Sequence, residues 1–336
     1  MRTAGWRCGA GTPDLPGNIL SKRAFARRFT PSHTPAPPRI VPSMQEQLSE
    51  ILRKVRKIEL ITRGIVREAV GGEYQSVFKG QGIDFDDFRE YQPGDEVRSI
   101  DWNVTARMGF PYIKKFTEER EMTVILAIDV SGSQSYGGKD RSKRELAAEI
   151  AGVFAFSANA AQDKIGLLLF SDRVEMFLPP SKGSLHVLRV IREVLTAEPH
   201  GRATDPAKAL ERLTNHLTRR ALVILISDFD CTGFERALSV CAIRHDLVAV
   251  QVSDPHEFEL PDIGWATFED PETGMMEDIN TSSRRVRERY QQRRAAWQEQ
   301  LDATFKASGI DKIDLRTDQD YAPALHSFFK RRAARA

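Results

Sequence analysis

Asp129, Ser131 and Ser133 form an Asp-x-Ser-x-Ser string with Gly132 between the two serines. Thr204 follows Gly201-Arg202-Ala203, and Asp228 follows the apolar run Leu222 to Ser227. Together they supply two carboxylates and three hydroxyls, with no imidazole or thiolate. A hard-oxygen set of this kind suits Mg²⁺, and less well Mn²⁺ or Ca²⁺. Mg²⁺ takes about six ligands in an octahedron and keeps several waters. Hydroxyls can then ligate directly while the carboxylates act partly through water. The low protein charge leaves the cation electrophilic, with a position open to an acidic side chain from a protein partner. Taken singly, each residue also fits an ordinary cap or loop role. The string alone would arise by chance in roughly a tenth of chains this long. What carries the metal reading is where the elements put the residues.

Thr123 to Ile128 is a β-branched and aliphatic run, the mark of a strand covered on both faces. Asp129 ends it. Ile165 to Phe170 and Leu247 to Val252 read as further buried strands, and Asp228 directly follows a fourth, Leu222 to Ser227. Val174 to Leu178 reads as an edge strand before Pro179-Pro180, and Ile313 to Leu315 as a last strand. Helical spacing marks Glu145 to Ala161, the Leu185–Val194 and Leu210–Leu217 stretches, Phe234 to Arg244, and a long charged helix through Val286, Tyr290, Trp297, Leu301 and Phe305. Strands alternating with helices predict an α/β fold with a doubly wound, mostly parallel sheet. Ligands in such sheets bind outside the carboxyl ends of the strands. Asp205 and Pro206 suit the N-cap and first position of the helix after Thr204, leaving the Thr204 hydroxyl free to point elsewhere.

Ahead of this lies an amphipathic helix from Met44 to about Ala69, stopped by Gly71-Gly72. A turn-rich, aromatic stretch from Glu73 to Arg120 follows, expected as short extended pieces. Residues 1–43 carry seven prolines and seven basic residues against one acid, Asp14. They read as a disordered extension, or as an over-long start with Met44 as the first residue; the composition also fits an organellar transit peptide. The expected division is therefore 1–43, 44–121, 122–330 and a basic tail at 331–336.

Bulk numbers narrow the function classes. The chain of 336 residues is 41% hydrophobic and 29% charged, with net charge +2, so nothing global argues for nucleic acid. No apolar run approaches the roughly 18 residues of a membrane helix. Three cysteines without metal spacing fit a reduced, cytoplasmic setting. The seven histidines show no zinc spacing, and Gly137-Gly138-Lys139 lacks the Walker spacing. His245 is expected to make a structural hydrogen bond. The arginines Arg284, Arg285, Arg287, Arg289, Arg293 and Arg294 read as a solvated helix face. The acids and arginines between Asp84 and Arg107 read as an ion-pair network around Trp102 and Tyr91, with partner docking as the alternative.

Asp129-x-Ser131-x-Ser133, Thr204 and Asp228 resemble the metal-ion-dependent adhesion site of von Willebrand factor A domains. Gly80 to Phe85, Arg89 to Asp95, Arg98 to Trp102, Thr105-Ala106-Arg107, Glu118 to Glu121, Lys164-Ile165-Gly166, Ile226 to Phe229, Asp254-Pro255 and Asp270 to Gly274 resemble the DUF58 family. Family members often have Gly before the Thr-Asp pair; here Ala203 stands there. The resemblance implies a bacterial adaptor associated with a MoxR-type AAA+ ATPase, acting in assembly, maturation or metal insertion. The expectation is thus a Mg²⁺-dependent protein-binding module, not an enzyme. The alternatives are a hydrolase using the same cation, with Asp205 or Asp230 as base, and a metal-independent scaffold.

Overall fold

The computed structural model describes residues 44–66, 74, 82–119, 121–135 and 141–335. The extension 1–43, the Gly71-Gly72 stop and Gly137-Gly138-Lys139 lie outside the described residues. Helix α1 (Met44–Ile65) comes first. Strands β1 (Gly82–Glu90) and β2 (Tyr112–Glu119) then form an antiparallel ribbon, with the short helix α2 (Trp102–Met108) between them. The central sheet begins at β3 (Thr123–Asp129). Next come α3 (Lys143–Ala160), β4 (Lys164–Phe170), β5 (Val174–Ser181), α4 (Ser184–Thr196), α5 (Pro206–His216), β6 (Leu222–Ser227), α6 (Glu235–Arg244) and β7 (Asp246–Ser253). A hairpin of β8 (Trp265–Glu269) and β9 (Met276–Asn280) precedes α7 (Arg284–Ala307), β10 (Asp311–Arg316) and α8 (Ala322–Ala333).

The sheet order is β10-β7-β6-β3-β4-β5, parallel throughout except for the antiparallel edge strand β5. Side chains alternate across a strand, and β3 feeds two cores accordingly. Val124, Leu126 and Ile128 pack with α3, α4 and α8, while Ile125 and Ala127 pack with α5, α6 and α7. Each fully buried aliphatic side chain contributes about 1.5–3 kcal/mol. The doubly wound, mostly parallel α/β architecture is the one the alternating pattern predicts.

Several boundaries differ. β5 runs on through Pro179 and Pro180 to Ser181, which an edge strand tolerates because one side of its ladder needs no N–H. Val55 and Ile58 of α1 belong to the same core as β3, so this helix packs against the sheet. The basic tail expected at 331–336 is instead the end of α8 and the residues after it. Arg332 pairs with Asp246 and Asp311, and Arg335 with Asp311, tying this end to β7 and β10. The β8–β9 hairpin forms in a stretch to which the sequence pattern assigns no element. No helix among the described residues is long and apolar enough to cross a membrane.

Candidate metal centre

From β3 the chain moves outward through β4 and β5, then crosses to β6 and continues to β7 and β10. The order therefore reverses between β3 and β6, and such a switch point opens a crevice at the strand ends. Asp129 is the last residue of β3, and Asp228 is the first residue past β6. Asp129 is 1% exposed, Ser131 0%, Thr204 7% and Asp228 5%.

Backbone and side-chain bonds set the loops. Asp129 accepts from the Ser131 amide at 2.9 Å and from the Ser227 hydroxyl at 2.7 Å. Arg144 donates to the Val130 carbonyl at 3.2 Å, bracing the turn. Thr204 arrives on a loop held by Glu175, which accepts from the Gly201 amide at 2.8 Å and the Ser171 hydroxyl at 2.5 Å. A Cβ on Gly201 would stand 1.9 Å from Asp172 Oδ1, so any larger residue there would have to displace that side chain. The Gly132 amide donates to the Arg202 carbonyl at 3.0 Å, joining the two loops. Asp205 caps α5 by accepting from the Ala207 amide, with Pro206 at the first helical position.

The side-chain oxygens then form a continuous row. Glu272 Oε1 lies 2.8 Å from Thr204 Oγ1, which lies 2.9 Å from Ser131 Oγ. Ser131 Oγ lies 3.2 Å from Ser133 Oγ, and Ser133 Oγ lies 2.8 Å from Asp228 Oδ2. All five residues singled out in the sequence meet here, Asp129 through Ser131. An octahedral Mg²⁺ with bonds of about 2.0–2.1 Å holds adjacent ligand oxygens about 2.9 Å apart. Three of the four spacings lie near that edge and the Ser131–Ser133 one is longer; all four are also hydrogen bonds between the side chains. Proton count points the same way: four oxygen–oxygen contacts join two carboxylates through three hydroxyls. With the carboxylates ionised, three hydroxyl protons serve four contacts, so one pair of oxygens faces each other without a proton between. A cation relieves that crowding. The residues present therefore fit Mg²⁺. Among the described residues no group of three or more His, Cys, Asp or Glu side chains could hold a metal; the hydroxyls make up this set.

Burial and charge divide the two aspartates. Burial, and then repulsion from Asp228, push the Asp129 carboxyl up to about 6. Burial would raise Asp228 too, but the Lys143 ammonium holds it below the ordinary range. Lys143 is the first residue of α3, set there by the Ser142–Glu145 capping box. It donates to Asp228 at 2.7 Å and to Glu257 at 2.5 Å. A cation is unfavourable at a helix N-terminus, and burial disfavours it further; the two carboxylates nonetheless raise its pKa. Phe229, after Asp228, has φ 57°, a left-handed conformation uncommon for a bulky residue. Its fully buried ring, packed on Phe234 and Phe305, holds it there.

A family model described as a protein of unknown function, DUF58, matches residues 87–300, which include every residue of this site. An uncharacterized protein of Mycobacterium tuberculosis is 30% identical over 287 residues, covering 84% of this chain and 90% of the relative. The chain belongs to the DUF58 family. A shorter uncharacterized protein of Mycobacterium avium is 31% identical over 158 residues, 46% of this chain and 93% of the relative. Among solved structures, the conserved hypothetical protein BatB from Bacteroides thetaiotaomicron is similar at TM-score 0.42 and 16% identity, over 63% of this chain and 99% of that one. The SpRpn10 VWA domain is similar at TM-score 0.34 and 9% identity, over 63% of this chain and 95% of that one.

In this DUF58 chain, spacing alone missed Lys143, Glu257 and Glu272. The last two lie beside or within segments, Asp254-Pro255 and Asp270 to Gly274, that carry the family resemblance; Lys143 left no signal. The two candidate bases are engaged elsewhere. Asp205 caps α5 and stands 3.3 Å from Lys208, and Asp230 pairs with Arg294 at 3.0 Å. Arg294 also corrects the expected solvated face: it is 7% exposed and lies over the Trp297 ring. His245 makes no structural side-chain hydrogen bond. It is buried with both ring nitrogens lacking a partner, and burial lowers its pKa.

Proposed function

We propose that this chain is a Mg²⁺-dependent protein-binding module, acting as an adaptor beside the MoxR-type AAA+ ATPase that the family resemblance implies, and that it is not itself an enzyme. What supports the metal is the row of hydroxyl and carboxylate oxygens that four separate stretches of chain bring together, short of one proton when both carboxylates are ionised. What supports binding over turnover is the state of the two acids that the sequence offers as bases: Asp205 caps a helix and Asp230 pairs with Arg294. A hydrolase would need a base able to reach water at the cation. The cation would be held by Ser131, Ser133 and Thr204, with Asp129 and Asp228 bonding partly through water, and would present an electrophilic position to a partner's carboxylate. A cytoplasmic setting belongs to the same proposal.

Thermal melts with magnesium and with chelator test the reading. At one hundred times Kd, a ligand bound only by the folded state stabilises it by about 2.7 kcal/mol. The wild type should show that shift and Asp129→Ala should lack it while remaining folded. Identical wild-type melts in magnesium and chelator would defeat the proposal. Affinity capture with the same two proteins in magnesium buffer then reads out the partner, which should be lost with Asp129→Ala.

A further inference from the structure

The hairpin between β7 and α7 places a carboxylate of the chain's own at the mouth of the site. Resting on the magnesium reading, we propose that Glu272 is an additional ligand of the cation, supplied in cis. The loop 270–274 thereby closes the position that a partner's acidic side chain would take, and a partner must lift this loop to bind.

Three independent features carry the proposal. First, Glu272 Oε1 stands 2.8 Å from Thr204 Oγ1, which places its carboxylate at the end of the row that runs through Ser131 and Ser133 to Asp228. A carboxylate there has the chemistry and position of the partner group that the site would otherwise accept. Second, the loop is pressed onto the metal loop. A Cβ on Gly132 would lie 2.7 Å from the Pro271 carbonyl oxygen and 3.4 Å from that of Arg202. Gly132 is therefore what lets the two loops meet, beyond easing its own turn.

Third, the loop is built to aim Glu272. Asp270 is 6% exposed; one of its oxygens accepts from the Glu272 amide at 2.9 Å and the other from the Thr273 hydroxyl at 2.7 Å. The Gly274 amide closes the turn on the Asp270 carbonyl at 2.7 Å, with Gly274 at φ 71°. Beneath it, Phe268 and Ile279 of the hairpin pack with Leu260 and with Tyr290 of α7. This small cluster is distinct from the two main cores, so displacing the loop would leave both of them packed. Glu272 therefore acts as a tethered competitor: its effective concentration at the cation exceeds that of a free carboxylate.

Mn²⁺ is the probe, because its affinity and its number of fast-exchanging inner waters are both read from water-proton relaxation. Wild type, Glu272→Ala, Glu272→Gln and Asp129→Ala are compared, with chelator melts checking that each is folded. Glu272→Gln keeps an acceptor for Thr204 and carries the test if the alanine variant does not fold. The expected result is a loss of Mn²⁺ affinity of roughly tenfold in both Glu272 variants, since charge count tunes such sites, with one added exchanging water in Glu272→Ala. Acetate should then displace that water in Glu272→Ala at concentrations that leave the wild type unchanged. Equal affinity and equal water count in wild type and both Glu272 variants would overturn the cis ligand while leaving the magnesium reading standing. Wild type that binds Mn²⁺ no better than Asp129→Ala would overturn both.

Discussion

Acidic residues gather in two places in this molecule, and the two have little in common physically. At the switch point, Asp129, Asp228 and Glu257 come from distant stretches and are almost wholly buried. Between β1 and β2, Asp95 and Asp101 act locally. Asp95 forms a two-pronged pair with Arg89, six residues away, at 2.6 and 2.9 Å, and Asp101 caps α2 by accepting from the amides of Asn103 and Val104. Trp102, around which the network is expected, is 67% exposed, and the side chains of Asp84, Asp86 and Asp87 lie outside the described ones. Similar clustering in sequence thus leads to opposite energetics. Exposed pairs are screened and interchangeable with water, whereas buried carboxylates must be balanced by a cation or a proton. A site needs the second kind of strain.

The largest way to break the comparison is to remove the built-in cation. Lys143→Met leaves Asp228 and Glu257 facing each other without the ammonium that bridges them. Breaking a buried pair by deleting one partner costs about 3–5 kcal/mol, so chelator melts of this variant should fall by many degrees. Magnesium should recover part of the loss, because the repulsion left behind favours any cation that can reach Asp228. An unchanged melt would show that Lys143 is not what balances the two acids.

A smaller effect sits on the loop that delivers Thr204. Glu175 would be raised by burial, but the Ser171 hydroxyl and the Gly201 and His200 groups bonding to it bring it from 4.5 down to about 2. A depressed carboxyl stabilises the fold above its unfolded pKa, and that contribution is lost as pH falls toward the folded one. Wild type should therefore outlast Glu175→Gln above pH 4.5, with the two melting curves converging between about pH 4.5 and 2. Curves that stay parallel across that window would mean that Glu175 does not anchor the loop through its charge.

Much of this was legible because the relevant signals are local. A β-branched run such as Thr123 to Ile128 announces a doubly covered strand, and an Asp at its end is placed by that strand alone. Asp205-Pro206 announced a helix start, and Thr204 followed from it. Lys143 was not legible, because its role depends on α3 beginning where this side chain reaches Asp228 past β6 and Glu257 past β7, a matter of tertiary packing and not of spacing. The β8–β9 hairpin escaped for another reason. Its strands are five residues each with a single buried residue apiece, so alternation is weak and the turn chemistry of Asp270 to Gly274 masks it. Arg294 is indistinguishable in sequence from the five arginines near it, and only the Asp230 carboxylate and the Trp297 ring set it apart.

The smallest expected effect belongs to the exposed cluster and serves as the control for the buried one. Hydrogen bonds from Arg89 and from the Gln92 amide hold the Asp95 carboxyl below the ordinary range, which taken alone would suggest a contribution to stability. The pair is open to solvent, however, with Arg89 43% and Asp95 20% exposed at the side chain. Water and salt replace such contacts with little loss. Asp95→Asn should change the melting temperature by no more than about two degrees, and should leave the magnesium shift untouched. A large drop would show that the β1–β2 ribbon is coupled to the sheet domain through this pair, and that the local cluster carries more than its exposure suggests.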